Sequence, residues 1–380
     1  MVNETDKRES VRLLTFNTWG LKLVSKHRKQ RLRAIADKLA NPFDASDDYD
    51  VVALQEVWCE EDWQYLDHVC RDRYPFRRYF KAGIISGPGL CVLAKIPITE
   101  TFLYRFPING RPSAFFRGDW YVGKSVAVTM FQPLYSGSMP IALLNSHMHA
   151  PYGHGDASYS THRACQAWDF AKIVRMLKKA GYAVIQVGDL NSKPESLPYK
   201  IFTIEGGLSD SWNVLHGGKL YIPIRCKGQF TETLPPPLRC SFSDHFAYCV
   251  ELKVEPRISH ANHVEEYSSI ERESVYKELL VEINNYRSHT IPFQTRWRKL
   301  HFILSILAVI GMHVAIVFVS NVAGWISVLF LFATIVILAT GLLNGLIWSL
   351  GVRSESRALQ EVQMEVEDAF VYSRDHHGKS

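Results

Sequence analysis

Two apolar runs near the C-terminus, roughly Phe302 to Val322 and Trp325 to Leu350, constrain this chain more than any other feature. Each approaches or exceeds the ~20 residues an α-helix needs to cross a bilayer. One such run would also suit the core helix of a soluble protein. Two in tandem, parted only by the short stretch around Asn321 and Gly324, indicate a transmembrane helical hairpin. A hairpin returns both flanks to one side. Those flanks carry Arg296, Arg298 and Lys299 before it and Arg353 and Arg357 after it. The positive-inside rule then puts both flanks, and the domain that precedes them, in the cytosol.

The rest of the 380 residues is long enough for a domain with a full core. Ala183-Val184-Ile185-Gln186-Val187 is rich in Val and Ile and predicts a buried strand, followed by Gly188-Asp189-Leu190-Asn191. Asp189 and Asn191 stand at period two and can share a side; an ordinary turn is the plainer reading of the same residues. Val11 to Asn17 predicts a strand that ends on Asn17, and Asp50 to Trp58 one with Glu56 near its end. Glutamate is uncommon in such a run unless it is paired, metal-bound or surfacing as the strand ends. Further strands are predicted over Pro88–Ala94, Val126–Met130, Ile141–Asn145 and Ser241–Val250.

Leu32, Ile35, Ala36 and Leu39 form one face of a helix, with Lys22, Lys26, Arg28, Lys29, Arg31 and Arg33 read as its solvated side. His162 to Lys179 predicts a second helix, ended by Gly181. Strands thus alternate with helices, and polar residues gather at strand ends, the pattern of an α/β enzyme core with its site at one rim. Ser268-x-x-Glu271 predicts a capping box in the polar stretch before the hairpin.

The net charge of +5 and pI near 8.7 suit an anionic membrane surface or nucleic acid. The seven cysteines lack C-x-x-C spacing, which argues against a zinc motif or disulfide framework and for a reducing compartment. Met1 to Ser10 is polar and holds no signal-peptide core.

Asn17, Glu56, His147, Asp189, Asn191, Asp244 and His245 make up the strand-end constellation. Hard oxygen ligands favour Mg²⁺, Mn²⁺ or Ca²⁺ over zinc. A histidine beside a carboxylate suits general-base work near neutral pH. Together they fit metal-assisted phosphodiester hydrolysis. His149, two residues from His147, is read as a structural or substrate-side residue.

Phe16-Asn17-Thr18-Trp19-Gly20, Leu54-Gln55-Glu56, Asn145-Ser146-His147, Gly188-Asp189-Leu190-Asn191 and Ser243-Asp244-His245, in that order, resemble the signature of the endonuclease/exonuclease/phosphatase superfamily. The resemblance runs from about Val11 to Leu252. It implies an α/β fold, a deoxyribonuclease-I-like four-layer β-sandwich flanked by helices, followed here by the C-terminal hairpin. Within that superfamily, the hairpin and the blocks around Gly118 and His149 look most like the fungal inositol phosphosphingolipid phospholipases C, relatives of neutral sphingomyelinase.

The resemblance implies a Mg²⁺ site, with Mn²⁺ as an alternative, held by Glu56 with Asn17 beside it. It implies His245 as general base next to Asp244, Asp189 and Asn191 as residues that orient the nucleophile and hold the phosphate, and His147 as stabiliser of transition-state charge. It further implies a membrane sphingolipid substrate, an anionic phospholipid activator and an endoplasmic reticulum or mitochondrial membrane. A nuclease or phosphatase of the same fold and a catalytically impaired membrane scaffold are the alternatives.

Gly118-Asp119-Trp120-Tyr121-Val122-Gly123-Lys124-Ser125 spells G-x-x-x-x-G-K-S. A nucleotide P-loop opens a helix. Here the β-branched run Val126–Met130 predicts a strand, so no nucleotide is expected, and the hairpin makes nucleic acid an odd partner. In the family it resembles, the aspartate and lysine matching Asp119 and Lys124 are both needed for activity and act as a regulatory switch set by anionic lipid; an ordinary surface ion pair is the alternative.

Family members also carry an R-x-D-Y strand between the G-D-x-N and S-D-H blocks. No aspartate occurs here between Asp210 and Asp244, and the interval ends in Pro235-Pro236-Pro237. A segment near 217–237 therefore reads as missing, with a core strand and a supporting aspartate. The expected organisation is a catalytic domain over 11–255, a polar helical linker over 256–300, two transmembrane helices over 301–351 and a cytosolic tail over 352–380.

Overall fold

The computed structural model describes residues 9–84, 86–216, 223–254, 256 and 268–375. The chain forms two units. The first comprises Met1–Asn109 and Tyr121–Val275, the second Gly110–Trp120 and Tyr276–Ser380.

Among the described residues, ten strands make two sheets in the first unit. They are β1 (Ser10–Asn17), β2 (Val51–Gln55), β3 (Phe76–Tyr79), β4 (Cys91–Ala94), β5 (Ile98–Arg105), β6 (Ser125–Phe131), β7 (Ile141–His147), β8 (Ala183–Asp189), β9 (Pro223–Gln229) and β10 (Ala247–Lys253). One sheet has the order β3-β4-β2-β1-β10-β9 and the other β5-β6-β7-β8. The helices are α1 (Arg28–Ala40), α2 (Glu60–Cys70), α3 (Asp119–Val122), α4 (Ser160–Lys179), α5 (Leu197–Lys200), α6 (Ser211–His216), α7 (Ser269–Asn285), α8 (Ile291–Val319), α9 (Gly324–Leu346) and α10 (Arg353–Asp375).

Strand periodicity explains the layering. Val11 and Leu13 of β1 and Val51 and Ala53 of β2 meet Ala127, Phe131, Ile141, Leu143 and Val187 of the second sheet. Their neighbours Leu14, Phe16, Val52 and Leu54 turn the other way, onto Leu32, Ile35 and Leu39 of α1 and Leu66 of α2. Strands buried on both faces need continuous apolar runs, which is why β2 reads that way in the sequence. The sandwich with helical outer layers is the expected fold.

The topology also builds one rim. β1 and β2 are parallel, with Asn17 opposite Gln55. β7 and β8 are parallel, with His147 opposite Asp189. β10 runs antiparallel to β1, with Tyr248 opposite Thr15, so the residues before Ala247 enter at the same end.

Several elements differ from the sequence reading. α2, β3 and β5 were not anticipated, because a half-exposed edge strand such as β5 lacks a continuous apolar run. β10 starts at Ala247, not Ser241; Ser241–Phe246 is the loop that delivers Asp244 and His245. In the interval expected to lack a strand, β9 pairs with β10 at the sheet edge, with no aspartate among its residues. Residues 217–222 of that interval, residues 257–267 of the linker and 376–380 of the tail lie outside the described residues.

In the second unit α8 and α9 pack as a hairpin closed by a turn after Val319. Gly341 and Gly345, one turn apart on α9, let Ser305 and Phe302 of α8 approach: a Cβ at Gly341 would lie 2.4 Å from Ser305 Cβ, and one at Gly345 2.7 Å from Phe302. Small residues at such a seam are how membrane helices gain packing without a hydrophobic driving force. Leu307, Ile310, Val314, Phe332, Ile335 and Val336 are exposed, a surface that a soluble protein would cover. Both helices are long and apolar enough to cross a membrane by length and composition.

The capping box forms: Ser268 Oγ and its backbone N both donate to Glu271 Oε2, at 2.9 and 3.0 Å. The tail is helical as far as Asp375, and Arg111 Nε donates to Tyr286 Oη at 2.8 Å, which donates to Glu355 Oε1 at 2.8 Å.

Candidate active site

The chain turns sharply where each rim strand ends. Trp19, Glu56 and Asn191 all have positive φ, at 49°, 61° and 47°. Such backbone costs of order 1–3 kcal/mol per residue and tends to gather at functional sites. Gly20 permits one of these turns, since a Cβ there would lie 2.1 Å from Glu56 O.

The Asn17 amide joins two carboxylates. Its Nδ2 donates to Glu56 Oε1 at 3.0 Å and to Asp189 Oδ2 at 2.9 Å. His147 Nε2 stands 3.9 Å from Glu56 Oε1 and 3.8 Å from Asp189 Oδ2. His245 Nε2 lies 3.8 Å from Asp189 Oδ2 and, equally, 3.8 Å from Asp244 Oδ1. Asn191 lies beyond the strand, and its amide Nδ2 donates to Met148 O at 3.2 Å while its backbone N donates to Asp189 Oδ1 at 3.2 Å. Burial disfavours the Asp189 charge, but His147, the Asn17 amide, His245 and the Asn191 backbone outweigh it, so its carboxyl titrates below the ordinary value.

The structure thus brings together Asn17, Glu56, His147, Asp189, Asn191 and His245, with Asp244 at the mouth. The two carboxylates are hard oxygen donors that suit Mg²⁺ or Mn²⁺, while the Asn17 amide turns its Nδ2 to them and its Oδ1 accepts from Trp19 N at 3.0 Å. Among the described residues no three His, Cys, Asp or Glu side chains converge as a metal-binding group.

Lys124 joins this network from behind. It is 2% exposed, and its Nζ donates to Met148 O at 3.1 Å, the carbonyl that also accepts from Asn191. Asp119 belongs to the second unit and Lys124 to the first. The P-loop-like string runs from the short α3 into strand β6, as expected of a segment that is not a P-loop. His149 is buried, stacked on Tyr159 at 4.3 Å, with Nδ1 at 2.8 Å from Ala150 O, a packing role.

Three supporting residues escaped the sequence reading. Arg31, read as solvated, is 1% exposed. Its guanidinium donates to Thr18 O, Trp19 O and Phe242 O at 3.1, 2.8 and 2.8 Å, and its Nε to Lys26 O at 2.8 Å. It ties the loop after β1 to the loop that carries His245. Burial lowers its pKa from the ordinary guanidinium value, and Cys240, Asp244 and Glu56 offset part of that; an arginine stays charged regardless.

The signal was present: residues 28, 31, 32, 35, 36 and 39 are one stripe, and Arg28 and Arg31 extend the apolar face of α1. Ser243 Oγ donates to Asn17 O at 2.7 Å and accepts from His245 N at 3.2 Å. Trp58 Nε1 donates to Glu56 Oε2 at 3.3 Å, and its ring centroid is 6.1 Å from that of His147.

The sequence profile of the Endonuclease/Exonuclease/phosphatase family matches residues 14–254, which holds every strand of the sandwich but the first residues of β1. The chain belongs to that family. It is an enzyme of this hydrolase family.

The chain is 44% identical to the inositol phosphosphingolipids phospholipase C of Saccharomyces cerevisiae, over 97% of its own length and 92% of that protein. That alignment spans 443 positions, more than the 380 residues of this chain, so the yeast protein has residues without a counterpart here. The protein of the same name from Schizosaccharomyces pombe is 31% identical over 90% of the chain. Human sphingomyelin phosphodiesterase 2 is 35% identical over 53% of this chain and 46% of its own. The crystal structure of SmcL shares the fold, with a TM-score of 0.50 at 17% identity, covering 64% of this chain and 99% of SmcL.

Proposed function

We propose that this family member is a membrane-anchored, Mg²⁺-dependent phospholipase C that hydrolyses inositol phosphosphingolipids, and sphingomyelin, to ceramide and a phosphorylated head group. The single observation that carries the reading is the 44% identity to the yeast phospholipase C through both units, hairpin included. The hairpin supports it physically: a substrate confined to a bilayer is found faster by an enzyme confined to the same surface.

In this reading Glu56 would hold the metal ion with Asn17 beside it, and the ion would supply polarisation of the phosphodiester oxygens. His245 Nε2 takes a proton from water as the water oxygen bonds to phosphorus. Asn191 and Asp189 orient that water and the phosphate. His147, between the two carboxylates, stabilises the extra negative charge of the transition state. The bond from phosphorus to the ceramide oxygen breaks, and that oxygen leaves as an alcohol after gaining a proton. The products are ceramide and a phosphomonoester.

The catalytic unit faces the cytosol in this reading, supported by Arg296, Arg298, Arg353 and Arg357 at the hairpin ends. An anionic phospholipid activates the enzyme through the segment of Asp119 and Lys124, supported by exposed Phe116 and Arg117 in the unit that carries the hairpin.

One observation favours a second reading, an impaired membrane scaffold. His245 is 46% exposed and its carboxylate neighbours are both at 3.8 Å, beyond hydrogen-bond reach, while β9 supplies no aspartate. Purified full-length chain with Mg²⁺ and mixed micelles of inositol phosphoceramide or sphingomyelin separates the readings. Ceramide release that stops on chelation supports the enzyme. Absence of release with intact micelle binding supports the scaffold, and nicking of plasmid DNA without ceramide release supports a nuclease.

A further inference from the structure

Beside the candidate active site, the first unit holds a cavity of about 360 Å³ lined by Trp58, Glu60, Tyr79, Lys81, Ser86 and the Gly83 backbone. That volume is in the range of about 300–1,000 Å³ typical of small-molecule sites. Trp58 is one of its lining residues, and the same indole donates its Nε1–H to Glu56 Oε2. Trp58 thus belongs both to the lining of this cavity and to the hydrogen-bond network of Glu56.

The walls are fixed. Tyr79 donates its hydroxyl to Val57 O at 3.0 Å and stacks on Trp63 with centroids 5.2 Å apart. The outer wall is pinned where Ile84 N donates to Tyr121 O at 2.8 Å. There Gly83 and Gly123 meet at φ +80° and +76°: a Cβ on Gly83 would lie 2.5 Å from Val122 O, and one on Gly123 2.7 Å from Gly83 N. The second glycine of the P-loop-like string thus sets the position of the cavity wall.

A phosphosphingolipid has two arms on its phosphate, an apolar ceramide and a polar head. The cavity is too polar for the first. Between head groups, a quaternary ammonium needs open aromatic faces and no competing cation. Here Trp63 covers one face of Tyr79, and Lys81 Nζ stands 5.9 Å from the Tyr79 ring centroid. Lys81 is paired with Glu60, Nζ to Oε2 at 3.1 Å. An ammonium and a carboxylate side by side offer donors and acceptors to vicinal hydroxyls, and the Trp58 face offers an apolar surface to a ring's C–H groups.

We infer that this cavity is the head-group subsite, and that Lys81 with Glu60 selects a hydroxylated polyol head over a cationic one. The inference deepens the phospholipase reading and rests on it for its substrate.

The test uses purified full-length chain in detergent with Mg²⁺. Isothermal titration with inositol 1-phosphate and with phosphocholine is run beside kcat/KM on inositol phosphoceramide and sphingomyelin. The wild type is expected to bind inositol 1-phosphate at least tenfold more tightly than phosphocholine. Lys81→Met is expected to reduce that preference, and the matching kcat/KM ratio, by tenfold or more. Ser86→Trp, which fills the cavity, is expected to abolish inositol 1-phosphate binding. Equal wild-type affinities, or a preference that survives both variants, overturns the subsite. A preference that both variants remove, in a protein that releases no ceramide from either lipid, upholds the subsite and overturns the phospholipase reading.

Discussion

Arg31→Met tests whether one buried guanidinium holds the site loops in register. The side chain it removes is fully buried and donates four hydrogen bonds to backbone carbonyls. The acceptors on Lys26 and Trp19 are only partly buried, so water replaces much of what they lose. Those on Thr18 and Phe242 are buried. Hydrogen bonds to a charged group contribute about 1.5–3 kcal/mol each, so these two alone amount to about 3–6 kcal/mol. Methionine fills part of the volume but leaves both carbonyls unpaired.

Against a typical stability of about 5–15 kcal/mol the loss is large. At about 2–4 °C per kcal/mol for a domain of this size, the melting temperature is expected to fall by about 6–24 °C. Arg31→Lys keeps the charge, but one ammonium replaces three donor nitrogens, of which Nη1 serves Thr18 O and Phe242 O while Nε and the other Nη serve Lys26 O and Trp19 O, so it should recover only part of the deficit. Thermal unfolding of the full-length chain in detergent measures both, and ceramide release well below the melting temperature reports the loop geometry. A melting temperature for Arg31→Met within 3 °C of wild type would refute the reasoning, since it would mean the carbonyls lose nothing when the guanidinium goes.

Other expectations follow from the same geometry. Glu56→Ala is expected to abolish metal-dependent turnover, checked by activity across a Mg²⁺ titration, because a sparse site loses a carboxylate. His245→Ala should lower kcat by the ~10²–10⁴-fold of general-base catalysis while calorimetric Mg²⁺ binding is retained; a loss below tenfold would remove it from that role. Lys124→Ala frees the Met148 carbonyl that Asn191 shares, so kcat should fall with little change in KM. In the same mixed micelles, stimulation by phosphatidylserine should disappear, and no saturable ATP binding is expected.

Ending the chain before Arg296 removes Arg298, which donates to Ser113 O at 2.6 Å, and Glu355, the acceptor of Tyr286. Activity on vesicles should fall most. A smaller loss is expected on detergent-dispersed substrate, because the 110–120 segment loses those partners; full activity in detergent would show that it does not need them.

By itself the sequence determined that β1, β2, β7 and β8 exist and carry polar residues where they end, together with the helical hairpin and the family, because each depends on local pattern. Val51 to Leu54 must be buried on both faces, and twenty-odd apolar residues have few soluble uses. Asn17, Glu56, His147 and Asp189 were legible as a set because parallel strands end together, so residues at the ends of separate apolar runs converge on one rim.

Only the tertiary structure decided what surrounds that rim. The sequence places Arg31 among basic neighbours, and nothing local says that its acceptors come from Thr18 and Phe242, one of them 211 positions away. The sequence shows Lys124 inside a nucleotide-like string, and only the fold brings it to Met148 O. Edge strands β5 and β9 were hidden because pairing on one side demands little of the side chains. Ser113 joins the hairpin's unit through its carbonyl, which accepts from Arg298, and a hydrogen bond to a backbone carbonyl leaves no mark on the identity of the residue that accepts it.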